Sequence, residues 1–350
     1  MVARPREEVI RPEEVGVYHC WSRCVRRAFL CGQDRLTGQD YEYRRDWIRD
    51  FEETLAGLFA IDIGFHSELS NHIHLVVRNR PDVVAQWPDR EVAERWLRIT
   101  HVIKSKDGQT KQISAGQIAL EIAKPGRLDV LRRRLADPSF FMAALCEHVG
   151  RRSNREDKQS GHFWEDRFGC RNLDNDASIL VCGIYVDLNQ IRAGETTTPE
   201  ASTHTSAYDR IRARQESVAG ELAATRPDGW LCELTLEQGL DADVREGVLA
   251  STSRRASDKG LLPIKLDDYL RLLDFSGRAL REGKSGAIPA DLAPILERLG
   301  IQTSLWTELV THFHEWFGPI VGASRHLAER AVAAGRRWYR GQQRCAAAFG

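Results

Sequence analysis

The segment Ser70-Asn71-His72-Ile73-His74-Leu75-Val76-Val77 constrains this chain more than any other. A polar turn feeds an apolar, β-branched run, which reads as a β-strand. Alternate side chains of a strand share a face. His72 and His74 therefore point the same way, roughly 6.5–7 Å apart along the backbone, with Ile73 on the other side. Two imidazoles so spaced can close on one metal ion. They can equally be histidines hydrogen-bonded at a sheet surface, and the pair alone leaves both readings open.

The pattern around this strand predicts an α+β fold. Gly16 to Val25 reads as a first strand, and Asp40 to Phe59 as a helix with Trp47, Ile48, Phe51, Leu55 and Leu58 on one stripe. Ala60 to Phe65 alternates as a strand and forms an antiparallel hairpin with the His72 strand. Ser139–Arg152 reads as a helix opened by Asp137-Pro138, Phe168–Leu173 as a strand, and Ile179–Ala193 as a helix capped near Asp174-Asn175-Asp176 and stopped by Gly194. This order suits a ferredoxin-like antiparallel sheet with helices on one face. Residues 85–135 read as an insertion that holds a helical piece, Arg90–Ile103, and a polar loop over Lys104–Gln117. The expected division is a domain over 1–215 and a mainly helical region over 216–350, with helices at Leu266–Leu280, Pro289–Leu299, Leu305–Phe317 and Ser324–Ala348.

Composition adds limits. In 350 residues the basic and acidic side chains balance at 50 each, so any nucleic-acid surface must be a local patch. Eight cysteines lack the spacing of a small disulfide-bonded domain, and Cys20, Cys24 and Cys31 lack a close pair; they read as reduced, buried thiols of a cytoplasmic protein. No apolar run reaches the length of a membrane span, and nothing behind Met1 resembles a secretory leader.

On the helix over 179–193, Tyr185 and Asn189 lie four apart and Arg192 follows, a polar stripe that faces water or lines a site. A divalent ion held by His72, His74 and the Asn189 amide oxygen would keep open positions, as a catalytic metal requires. A tyrosine one turn from such a ligand is placed as a nucleophile. The cation favours its phenolate.

Four segments in order carry a likeness: Tyr18-His19-Cys20-Trp21-Ser22-Arg23, Asn71 to Val77, Gly161-His162-Phe163-Trp164-Glu165-Asp166-Arg167-Phe168, and Tyr185-Val186-Asp187-Leu188-Asn189-Gln190-Ile191-Arg192-Ala193-Gly194. Over about residues 15–215 the chain resembles the single-tyrosine HUH transposases, most closely the REP-associated tyrosine transposases. The resemblance implies the HUH nuclease fold and a single-strand DNA endonuclease and strand transferase working through a 5′-phosphotyrosine. It implies Tyr185 as nucleophile, His72, His74 and Asn189 as metal ligands, and Mg²⁺ or Mn²⁺ as the ion. It further implies hairpin-containing single-stranded DNA as substrate, a homodimer, and a place at the nucleoid. The chain departs from the pattern at Gln190, where relatives often carry proline, in the insertion, and in about 135 further residues.

Cations that would meet phosphates are Arg151, Arg152 and Arg155 at a helix end, Arg167 and Arg171 beside a strand, Arg192, and Arg336 and Arg337 in the most basic stretch, which also holds Trp338 and Tyr339. Each is also readable as a solvated surface arginine. His312-Phe313-His314 repeats the His-hydrophobic-His spelling in a helical context, where residues two apart do not share a face. His19 and His66 could lie near the metal face and otherwise read as hydrogen-bonded strand histidines, and Tyr208, Tyr269 and Tyr339 read as tyrosines without a ligand at the matching spacing. Two other functions fit the same residues: a domesticated DNA-binding protein that no longer cleaves, and a hydrolytic metalloenzyme acting on a small substrate.

Overall fold

The computed structural model describes residues 6–25, 30–34, 38–107, 109, 111–218, 226–234, 254–257, 259–282 and 291–349. The chain runs β1 (Val17–Arg23), α1 (Tyr43–Ala56), β2 (Ile61–Glu68), β3 (His72–Asn79), α2 (Pro81–Gln86), α3 (Asp89–Lys104), α4 (Ala115–Ile122), α5 (Arg127–Leu135), α6 (Pro138–Glu156), β4 (Gly169–Leu173), α7 (Asp176–Asp187), α8 (Asn189–Arg192) and α9 (Ser206–Val218). It continues with α10 (Leu266–Glu282), α11 (Ala293–Arg298), α12 (Trp306–Thr311), α13 (Phe313–Trp316), β5 (Ile320–Val321), α14 (Ser324–Ala333) and α15 (Gln342–Phe349).

The fold is α+β, built on one sheet in the order β2-β3-β1-β4-β5. The first three pairings are antiparallel, and β5 joins β4 in parallel. The sheet is therefore mixed, which corrects the antiparallel expectation. β5 comes from a region expected to be helical. Two residues, Ile320 and Val321, are too few to show alternation.

Alternation sorts the strands onto two faces. Tyr18, Cys20, Ile61, Ile63, Ile73, Leu75 and Val77 bury against α1 (Trp47, Ile48, Phe51, Leu55) and α6 (Phe141, Leu145, Val149). The 85–135 segment forms helices, and Val92, Ile99, Val102, Leu131 and Leu135 extend this same core. Val17, Phe65, Val76 and Leu173 face the other way, onto α7 and onto Leu272, Trp306, Val310 and Phe313 of the later helices. Helices thus cover both faces, against the expectation of one. Two sides of the sheet are apolar, so each needs a cover.

Asn175 caps α7, its side chain accepting from the Ser178 amide at 2.9 Å, and Asp137 caps α6 in the same way from Ser139 at 2.7 Å. Every residue from Ala177 to Asp187 is buried, because α7 is apolar all round and lies between the sheet and the later helices. Gly183 permits the close approach: a Cβ there would meet the Phe65 ring at 2.5 Å. The helix expected over 179–193 breaks at Leu188 (φ −89°, ψ 2°) and resumes as α8; Gly194, at φ +72°, ends it as expected. The helix expected over 324–348 ends instead at Ala333, with Gly335 left-handed behind it (φ +64°), and a separate helix follows from Gln342. The eight cysteines are all unpaired thiols.

His148 of α6 is 1% exposed and stacks on Phe51 with ring centroids 3.9 Å apart. Burial lowers its pKa from 6.5 to about 4. The unfolded chain takes up this proton below pH 6.5 while the folded chain does not. His148 therefore stabilises the fold fully above 6.5, and that stability drains as pH falls toward about 4, by roughly 3 kcal/mol. Urea unfolding at about pH 7 and about pH 4.5 should show the loss, and His148→Phe should show a smaller one. An equal acid loss in both proteins would remove His148 as a cause.

Candidate active site

β1 pairs with β3 so that Trp21 lies opposite His74 and Arg23 opposite His72, while Gly169 of β4 lies on the other side of Trp21. Gly169 leaves room for the indole, since a Cβ would sit 2.0 Å from it. At this end of the sheet, on the face toward α7, a cavity of about 580 Å³ opens. His72 and His74 line it with Trp21, Tyr185, Arg192 and Arg167, alongside Glu165 and Asp166 from the loop before β4. Thr311, His314 and Glu315 of the C-terminal region complete the wall.

The two strand histidines do share a face, with ring centroids 4.8 Å apart and planes at 81°. The Tyr185 ring stands edge-on to His74 at 5.8 Å. Each imidazole has one nitrogen already held. His72 Nδ1 lies 2.6 Å from Asn71 Oδ1, and His74 Nδ1 lies 2.8 Å from Nε2 of His19. Each Nε2 has no hydrogen bond among the described residues. Metal-binding histidines are commonly oriented by such a partner on the second nitrogen. Burial lowers His72 to about 4 and His74 and His19 well below 6.5, so the rings are neutral and able to ligate near pH 7.

Tyr185 is 5% exposed. Burial raises its pKa, and Arg192 and Arg171 pull the other way. The Arg192 guanidinium lies 4.5 Å over the phenol ring and donates to the Val310 carbonyl at 3.0 Å. Phe313 packs on the ring's other contact surface at 5.4 Å. Arg171 is buried, lies 5.0 Å from Trp21 and donates to the His314 carbonyl at 2.7 Å. It ties β4 to the C-terminal cover and is buried rather than exposed.

Asn189 departs from expectation. It is buried, its Nδ2 lacks a partner, and it is not among the cavity-lining residues. Leu188 (φ −89°, ψ 2°) interrupts the helix between Tyr185 and Asn189. Arg151, Arg152 and Arg155 belong to α6 and line no part of the cavity. Arg151 pairs with Glu147, Arg152 pairs with Glu156 and covers Trp47, and Arg155 donates to the Lys106 carbonyl. Arg336 is held by Glu8 at 2.7 Å, tying the N-terminal segment to the end of the chain, and Arg337 is exposed. Tyr269, weighed as a spare nucleophile, is fully buried and donates to Asp187.

Comparison with family models, with curated proteins and with solved structures gives no match. The site therefore stands on its own geometry.

His19 is hydrogen-bonded on its strand, as expected, whereas His314 escaped the sequence. His19 stands behind His74, and His314 lines the cavity from α13, lowered to about 4 chiefly by burial. The His312-Phe313-His314 spelling was a signal for His314. Its residues indeed diverge, His312 stacking on Trp316 at 5.2 Å while His314 turns to the cavity. Arg23, next in strand register to the site, was the third cation within reach of a ligand there.

Proposed function

We propose that the chain is a metal-dependent single-strand DNA endonuclease and strand transferase of the HUH tyrosine type. One observation carries the reading: Tyr185 and the His72–His74 pair open onto one cavity, with the phenol ring 5.8 Å from the His74 ring. The strand order β2-β3-β1-β4, with α1 and α6 on one face and the tyrosine helix on the other, supports the HUH nuclease fold.

His72 Nε2 and His74 Nε2 are the donors that would hold Mg²⁺ or Mn²⁺, and the carboxylates of Glu165 and Asp166 share the cavity wall. The donor set fits the two-imidazole part of the expected site, while Asn189 is not among the residues that line the cavity. A divalent ion there would neutralise charge on the scissile phosphate. Arg23, Arg167 and Arg192 line the same cavity and would hold phosphate oxygens of the strand. The Tyr185 oxygen attacks phosphorus and the 3′-oxygen departs, taking a proton. The protein then carries the 5′-phosphate and the released strand ends in a 3′-hydroxyl. Hairpin-bearing single strands are the proposed substrate and a homodimer the proposed working form. Among the described residues no helix is long and apolar enough to cross a membrane.

A second reading, a DNA-binding protein of this fold that does not cut, draws on the 5% exposure of Tyr185 beneath Phe313 and on Asn189 lying off the wall. Hairpin oligonucleotides with Mg²⁺ or Mn²⁺ separate the two. A covalent adduct favours the nuclease; binding without nicking in any tested hairpin favours the second reading.

His19 acts as a positioning residue here. With His74 ligating through Nε2, its Nδ1–H must donate to His19 Nε2, which selects the tautomer. His19→Phe should weaken Mn²⁺ binding by about 10- to 100-fold, raising the Mn²⁺ concentration needed for half-maximal cleavage. An unchanged Mn²⁺ requirement would make His19 a packing residue only.

A further inference from the structure

On the opposite face of the sheet from this cavity, a second group of ligating side chains lies wholly inside the protein. His66 and Glu68 are two apart on β2 and so share a face, and Glu52 of α1 meets them. All three are 0% exposed, and one ligand atom from each lies within 4.8 Å of the others. His66 Nδ1 is 2.9 Å from Glu68 Oε1 and 3.9 Å from Glu52 Oε2. Ligand atoms around a tetrahedral ion with bonds near 2.1 Å stand about 3.4 Å apart, between these two separations.

The second, independent observation is the state of the carboxylates. Both oxygens of Glu52, and Oε2 of Glu68, are buried without a hydrogen-bond partner. Buried carboxylates are ordinarily paired, hydrogen-bonded or metal-bound. The nearby guanidinium of Arg49 is spent on Asp209 at 2.8 Å and on Glu53. Asp209 is in turn fixed by the Trp230 indole N–H at 3.1 Å and lies 3.6 Å from His66 Nε2. The imidazole therefore has a carboxylate behind one nitrogen and two carboxylates before the other. That is the carboxylate–histidine–metal arrangement.

We propose that Glu52, Glu68 and Nδ1 of His66 bind a divalent transition-metal ion, Zn²⁺ or Mn²⁺, which fastens α1 to β2, with Asp209 orienting the histidine. The mixed nitrogen and carboxylate donors suit these ions. The ion's two charges balance the two carboxylates, and its burial makes it structural. Without a cation the group needs extra protons. Burial, then Glu68, would push the Glu52 carboxyl well above its ordinary value, and Glu68 and Asp209 would hold His66 up to about 9 against its burial. A proton shared between the carboxyls is thus the competing state.

The test uses the full-length chain with His72 and His74 both changed to alanine, so that metal at the other site does not count. Protein made with added Zn²⁺ and Mn²⁺ and dialysed without chelator should carry about one equivalent by elemental analysis. EDTA should remove it and lower Tm by roughly 5 °C or more, and ZnCl₂ or MnCl₂ should restore both. Adding Glu52→Gln should abolish the metal content. Metal-free protein whose Tm ignores EDTA, ZnCl₂ and MnCl₂ would overturn the proposal in favour of the shared proton. Metal that survives Glu52→Gln would also overturn it. If the triple variant does not fold, the metal count and the EDTA response of the double variant decide alone. None of these readouts depends on DNA cleavage, so failure here leaves the proposed nuclease untouched.

Discussion

Tyr185→Phe is expected to abolish strand cleavage, by at least about 10³-fold, while leaving the fold as stable as before. The expected selectivity comes from what the hydroxyl does not do. Among the described residues it makes no hydrogen bond. The ring supplies the packing, against Phe313 at 5.4 Å and beneath Arg192 at 4.5 Å, and phenylalanine keeps both contacts. The stability change should stay within about 0.5 kcal/mol. A 3′-labelled hairpin strand with Mn²⁺, resolved on a denaturing gel, reads the adduct, and urea unfolding reads the fold. Persistent cleavage in the variant would eliminate Tyr185 as nucleophile. Lost cleavage with a large loss of stability would leave the chemistry unassigned to the hydroxyl.

The second large effect is thermodynamic and sits two residues away. Asp187 is fully buried at the end of α7 and takes three donors: the Tyr269 hydroxyl at 2.5 Å, the Ala207 amide at 3.0 Å and the Ser206 hydroxyl. The Ala207 amide is one of the orphan donors in the first turn of α9, where a carboxylate is favoured. Through this one group α7, α9 and α10 are held together. Asp187→Ala strands all three donors in the interior and should cost about 3–5 kcal/mol. Asp187→Asn keeps an acceptor oxygen and should cost less, about 1–2 kcal/mol. Tyr269→Phe should cost about 1 kcal/mol, and a double-mutant cycle with Asp187→Ala should show strong coupling. A loss below about 1 kcal/mol for Asp187→Ala in urea unfolding would mean that the donors find other partners.

Much of the scaffold is legible in the sequence. Alternation over 60–65 and 72–77 announced the β2–β3 hairpin, and the stripe through Trp47, Phe51 and Leu55 announced α1. Asn175, Asp137 and Gly194 marked helix ends through side-chain and backbone chemistry that acts within three residues. The misses were of another kind. Leu188 carries no breaker signal, yet α7 ends there and α8 begins at Asn189. The arginines could be counted along the chain, but Arg171 turned inward to His314 while Arg167 and Arg192 stayed at the cavity.

Local pattern determined that His72 and His74 share a face and that Tyr185 rides a helix, because strand and helix periods are properties of neighbouring residues; that this helix is buried all round was decided by its packing. Only the tertiary structure decided what those side chains meet. His19 behind His74, Phe313 and His314 over Tyr185, and Glu52 against His66 are contacts between segments far apart in the chain. Burial of two apolar sheet faces brings such segments together. The environment that keeps the imidazoles neutral and leaves Glu52 without a partner is likewise a property of the assembled interior, which no short stretch of residues contains.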